Sequence, residues 1–166
     1  HRQYSIFAIP RSVFEALPNY FRSRPLPPVA QAVLWDAAVQ LFLLQLDENA
    51  PAQKITQTLG LLKEGGRFED FASALWAIHN GKMTEAIGPL SRLVSDDSLP
   101  AGLSPRLNEL KLLLARAYYE TEKYSESIRV LDQVDKRSNE LILALINLSW
   151  AHLMAGHHAN AIGAAL

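Results

Sequence analysis

From Val29 onward the apolar positions of this chain recur with a helical beat, broken by short polar turns. Between Val29 and Leu46, 14 of 18 residues are apolar, with Gln31, Asp36, Gln40 and Gln45 spread through the run. Polar groups at that density argue for a buried helix rather than a membrane span, which needs about 20 residues nearly free of them. Ile55, Leu59 and Leu62, at i, i+4 and i+7, give Pro51–Glu64 a core-facing stripe. Asn49 reads as the cap that starts this helix, and Gly65-Gly66 as its stop. Helices are further predicted over Arg67–His79 and Met83–Val94, the second containing Pro89, which should kink or loosen it. Residues 95–104, SDDSLPAGLS, form an inserted loop ending in Ser104-Pro105, an N-cap followed by proline in the first turn. Leu110–Val134 reads as two helices joined at Glu122-Lys123, followed by a helix over Asn139–Ala155 and another from His158. The predicted fold class is all-α.

Three of these helix pairs share a pattern. Ala86-Ile87, Ser127-Ile128 and Ala161-Ile162 are equivalent, the last two 34 residues apart and the first two 41 apart, which is the same period lengthened by a seven-residue insertion. Twelve residues before each lies another small residue, Ala74, Ala115 or Ser149. Three residues before each lies a larger side chain, Met83, Tyr124 or His158, and two before that a turn residue, Gly81, Glu122 or Gly156. Small residues on both helices of a hairpin let the backbones approach, and bulky neighbours then interlock around the contact. A glycine at the turn accepts the left-handed conformation that ends a helix. A fixed period of this length marks stacked helical hairpins, each unable to bury its apolar face alone.

The segments Leu114-Ala115-x-x-Tyr118, Tyr124-x-x-Ser127 and Leu131, and again Leu148-Ser149-x-x-His152 and Gly156-x-His158-x-x-Ala161, resemble the tetratricopeptide (TPR) repeat. The resemblance covers roughly the second hundred residues, with repeats starting near Arg67, Asn108 and Ile142 and a degenerate hairpin over 29–66 before them. The family's early aromatic is replaced by Asp70, Lys111 and Leu145, and its closing proline is absent at Asn139. The resemblance implies antiparallel hairpins stacked as a right-handed superhelix, an α-solenoid. Its first helices would line a concave groove. The chain stops midway through the second helix of a repeat, so further repeats or a capping helix are expected beyond it.

Residues 1–28 differ. They hold five of the nine prolines and four arginines against one acid, which rules out a long helix. Phe7, Phe14, Tyr20 and Phe21 are too many large apolar groups for a free tail, so this arm is expected to pack along the helical body. Apolar residues at 49% and charged residues at 20% place the chain among globular proteins. A net charge of −1 gives no general attraction to nucleic acid or to anionic membranes, so membrane contact would be indirect. The absence of cysteine excludes disulfides and thiolate metal sites. With no targeting signal in the sequence, the cytoplasm is the expected compartment.

Chemistry-bearing patterns are missing where they would be needed. His152 and His157 are five residues apart without an intervening acid, unlike the i, i+4 spacing of helical metal ligands. Gly65-Gly66 lacks the lysine and hydroxyl of a phosphate loop, and no serine stands in a nucleophile elbow. Neither enzyme activity nor a cofactor is expected. The expected function is a scaffold or adaptor within a larger complex. Its groove would be lined by first-helix positions, of which Phe71, Leu75, Arg116, Tyr119, Trp150 and Leu153 are the candidates. With Arg116 as the single cation among the groove positions, the fitting partner is an amphipathic helix or an apolar extended peptide. The alternatives are a groove filled by the chain's own arm, or a regulatory domain of a longer enzyme.

Overall fold

The computed structural model describes residues 28–63, 65–96 and 98–165, which contain eight α-helices, one 3₁₀ turn and no strand. The helices are α1 (Pro28–Asp47), α2 (Ala52–Leu62), α3 (Arg67–His79), α4 (Met83–Val94), α5 (Leu107–Glu120), α6 (Tyr124–Leu131), α7 (Leu141–Met154) and α8 (His158–Ala165). The fold class is all-α, and α3 and α4 have the predicted bounds. Pro89 lies inside α4, which runs on through it to Val94. The arm expected over residues 1–28 lies outside the described residues except for Pro28, which opens α1, where a missing N–H costs no helical hydrogen bond.

Four helices end in the same way. At the ends of α1, α3, α5 and α7, residues Asn49, Gly81, Glu122 and Gly156 have φ of 49°, 71°, 61° and 79°. The next N–H returns to the carbonyl five residues back: Ala50 to Gln45 at 2.8 Å, Lys82 to Ala77 at 2.8 Å, Lys123 to Tyr118 at 2.9 Å and His157 to His152 at 2.8 Å. The left-handed residue's own N–H bonds the carbonyl three back, as in Glu122 to Tyr119 at 3.0 Å. This is the Schellman motif, which satisfies two carbonyls that the helix end would leave orphaned and reverses the chain within three residues. Asn49 therefore ends α1 instead of capping α2, whose N-cap is Pro51 with no side-chain bond. Asparagine tolerates the left-handed region better than most residues, which explains why it suits either place by sequence.

Other boundaries also differ from expectation, and two of them have a visible cause. Ser104-Pro105 does not cap a helix: both residues lie in the 3₁₀ turn Ser104–Arg106, and the Ser104 carbonyl accepts the Leu107 N–H. α6 ends at Leu131, three residues before Val134, because the chain tightens into i to i+3 bonds, Gln133 to Val130 and Val134 to Leu131, both 3.1 Å. The Gln133 carbonyl then accepts Lys111 Nζ at 2.6 Å, and Val134 stays buried although it is no longer helical.

The chain forms two compact units, residues 1–72 and 73–166. In the first, α1 packs on α2 around Ala38, Val39, Phe42, Ile55 and Leu62. The one polar residue buried there among the described residues, Thr58, donates to Gln45 Oε1 at 2.9 Å. Gly65 is required by proximity: a Cβ at this position would lie 2.9 Å from the Leu62 carbonyl oxygen and 3.3 Å from Trp35 Cδ1. The Trp35 ring in turn lies 6.3 Å from that of Phe68.

In the second unit α4 packs on α5, α5 on α6, α6 on α7 and α7 on α8. The small residues do what their spacing predicted. Ser127 of α6 is buried and its hydroxyl donates to the Ala115 carbonyl of α5 at 2.9 Å. In the next hairpin the roles exchange sides: Ser149 of α7 donates to the Ala161 carbonyl of α8 at 3.1 Å. A serine on a helix can bond its own preceding turn, so a hydroxyl reaching a carbonyl of the neighbouring helix marks a close crossing. With twelve residues between bonded partners and the turn midway, the two helices of each hairpin run antiparallel. Ala74 and Ala86, the same two positions one repeat earlier, are both fully buried.

Two predictions follow from the turn and the crossing. Holding a glutamate in the left-handed region costs roughly 1–2 kcal/mol, and glycine's added unfolded-state entropy returns about 0.4–1 of that. Glu122→Gly should therefore stabilise the chain by about 0.5–1 kcal/mol, read as a rise of several degrees in the midpoint of a circular dichroism melt. Ser127→Ala, which restores the residue found at Ala86, should cost only about 0.5–1 kcal/mol, whereas Ser127→Leu should cost about 2–4 kcal/mol in urea titrations because the crossing leaves no room for it.

Candidate binding cleft

The second unit contains an open cleft of ≈ 390 Å³ lined by Ala115, Arg116 and Tyr119 of α5, Ser127 of α6, and Asn147 and Trp150 of α7. Its floor is the small-residue crossing itself, since Ala115 and Ser127 are the two residues joined by the buried hydrogen bond. Its walls are the next helical turns of α5 and α7. The cleft therefore depends on the same spacing that brings the helices together.

Two of its wall side chains are tied to their own helices. Arg116 Nε donates to Glu120 Oε1 at 2.7 Å, an i, i+4 pair with 62% of the arginine side chain exposed, so it sets the geometry of a rim more than it adds stability. Asn147 Nδ2 donates to the Leu143 carbonyl of its own helix at 2.8 Å. The Tyr119 ring meets Tyr124 edge-on, with centroids 5.5 Å apart and planes at 67°. Trp150 is 55% exposed. Two aromatic rings, one of them half in solvent, beside a fixed guanidinium and carboxamide make a surface suited to an apolar or aromatic side chain with a polar backbone alongside.

Of the six candidate residues, Arg116, Tyr119 and Trp150 come together in this cleft. Leu153, 43% exposed, lies on α7 beyond Trp150 and outside the lining. Leu75 is half-buried on α3. Phe71 is buried to 2% exposure and belongs to the core, so it cannot offer its ring to a partner in this conformation. Its position at i, i+4 with Leu75 fits a groove and a core face equally well, and the large ring went to the core. Asn147 and Ser127 are cleft residues that the first-helix rule overlooks. Asn147, three residues before Trp150 and thus on the same face, was the detectable one.

His152 and His157 approach with Nδ1 atoms 3.5 Å apart and rings 5.7 Å apart. Among the described residues no third histidine, cysteine or acid joins them in a group able to hold a metal. Nor is any helix among the described residues long and apolar enough to cross a membrane. No family model, curated protein or solved structure matches the chain, so the TPR resemblance rests on the repeat residues themselves.

Core and cleft aromatics are separable by stability. Phe71→Ala should lower the unfolding free energy by about 3–5 kcal/mol, the cost of emptying a buried ring site. Trp150→Ala should cost no more than about 1 kcal/mol, because half of the ring is already in water. Urea unfolding of the two variants in dilute solution measures both.

Proposed function

We propose that this chain is a protein-interaction module, a TPR-like array of helical hairpins that holds a partner polypeptide in the cleft between α5 and α7. The observation carrying the reading is the convergence of Arg116, Tyr119 and Trp150 in one open cleft floored by the Ala115–Ser127 crossing. Tryptophan, tyrosine and arginine are the side chains that most often dominate binding energy at protein interfaces. Arg116 and Asn147 are already held by their own helices, which leaves the two aromatic rings as the main attraction and favours an amphipathic helix or an apolar extended segment. The hydroxyl in the floor is committed to a carbonyl of the neighbouring helix. In a larger assembly such a module acts as a scaffold, positioning one polypeptide against others.

Chemical crosslinking of the tagged chain, with mapping of the crosslinked peptides, tests this. The wild type should yield polypeptide, another protein or the chain itself, attached near α5 and α7. The double variant Tyr119→Ala with Trp150→Ala should lose at least about tenfold of that yield while keeping its helical circular dichroism. Equal yield from a folded double variant would refute the cleft as the binding site.

A further inference from the structure

We infer that the polypeptide this chain binds at α7 is a second copy of itself, in a two-fold dimer formed by the outer face of α7 against its own counterpart. The inference rests on the polypeptide-binding reading and assigns the partner. The starting observation is that α7 buries only Ala144 and Ala151 below the burial seen in the core, while Ile142, Leu143, Ile146, Trp150, Leu153 and Met154 are 43–72% exposed. At 100° per residue these six fall within an arc of about 120° on one side of the helix, with the two buried alanines opposite.

The preceding repeat shows what this arc looks like when water is its neighbour. Thirty-four residues earlier the six positions of the arc are Asn108, Glu109, Leu112, Arg116, Tyr119 and Glu120 of α5, four of them polar. Hairpin packing therefore does not demand apolar residues at the positions of Ile142, Leu143, Trp150 and Met154, because α5 keeps polar ones there while packing on α4 and α6 and touching α7. Replacing a solvated face by large apolar side chains is a feature of interfaces.

Three properties select a second copy as the occupant. The first is area. At roughly 100 Å² from each half-exposed large side chain, the six residues offer about 600 Å², at the upper end of a typical monomer's largest patch and about three quarters of the ~800 Å² per partner of a stable interface. The second is charge. Among the residues of α7 only His152 can carry charge, and it is not among the six, so two such faces meet without like-charge repulsion. The third is symmetry. Ile142 and Met154, Leu143 and Leu153, and Ile146 and Trp150 are three pairs equidistant in sequence from Leu148. An antiparallel α7–α7 contact with its two-fold axis at that level brings each residue to the height of its pair, and the central pair, Ile146 and Trp150, face to face, the reciprocity of an isologous interface. Ile146 of one copy then covers Trp150 of the other, at the mouth of the cleft.

The test is sedimentation equilibrium on the full chain up to about 100 µM, with a charge-exchange design. The wild type should reach twice the monomer mass. Ile146→Glu and Trp150→Lys, each alone, should weaken self-association about 100-fold, since each places a charge against an apolar residue twice per dimer. Mixed in equal amounts they should associate again, because the hybrid pairs Glu with Lys on one side and restores Trp150 against Ile146 on the other. Val33→Glu, a charge placed at an exposed apolar residue of α1, should leave the dimer intact. A wild type that stays monomeric overturns the assignment, while crosslinked yield of another protein at α7 would still uphold the binding reading. Dimers that survive both charge variants, or folded variants that do not recover on mixing, also overturn it.

Discussion

The close approach of paired helices at small residues is the constraint on which the second unit depends. At the α5–α6 crossing a serine hydroxyl reaches a backbone carbonyl across the interface, which is possible only where neither helix presents a large side chain. The same contact recurs at α7–α8 with donor and acceptor exchanged between helices. What is maintained is therefore a distance, with one hydroxyl available on either side to satisfy it. The Schellman turns complement this constraint. They reverse the chain over a fixed number of residues, so partners twelve apart arrive level with each other. The cleft depends on the crossing: Ala115 and Ser127 make its floor, and residues of α5 and α7 make its walls.

Much of this was legible in the sequence, because it is encoded by residue size and by turn chemistry at fixed spacing. The beat of Ala74, Ala115 and Ser149 against Ala86, Ser127 and Ala161 located the hairpins, and Gly81, Glu122 and Gly156 located their turns. The less legible features were those where one residue type serves two purposes. Asn49 could open a helix or close one, and a hydrogen bond from the following residue decided it. Beyond the end of α6 the Gln133 carbonyl accepts Lys111, a residue 22 positions earlier, and no local rule carries such a contact. Phe71 shares its helical face with both core and groove, and burial chose between them.

The last two repeats use one scaffold for different surfaces. α5 turns charged and amide groups outward, some of them tied back to its own chain, as Arg116 is to Glu120 and Asn108 to the Asp135 N–H at 3.2 Å. α7 turns leucine, isoleucine, methionine and tryptophan outward from equivalent positions. Because both helices keep a small residue at the crossing, Ala115 in one and Ser149 in the other, this change of surface leaves the hairpin contact unaltered. Burial and surface character are carried by different positions of the same period.

The twelve-residue span between crossing partners also bears on how the molecule reaches its native state. Closing so short a loop costs little chain entropy, and the helix contacts of residues 73–166 run chiefly between neighbours in the chain. Such a low contact order is the hallmark of rapid folding. A hairpin such as α5–α6 holds its crossing within its own segment, so it can close while the ribosome is still adding the residues behind it, and each later hairpin docks on one already made.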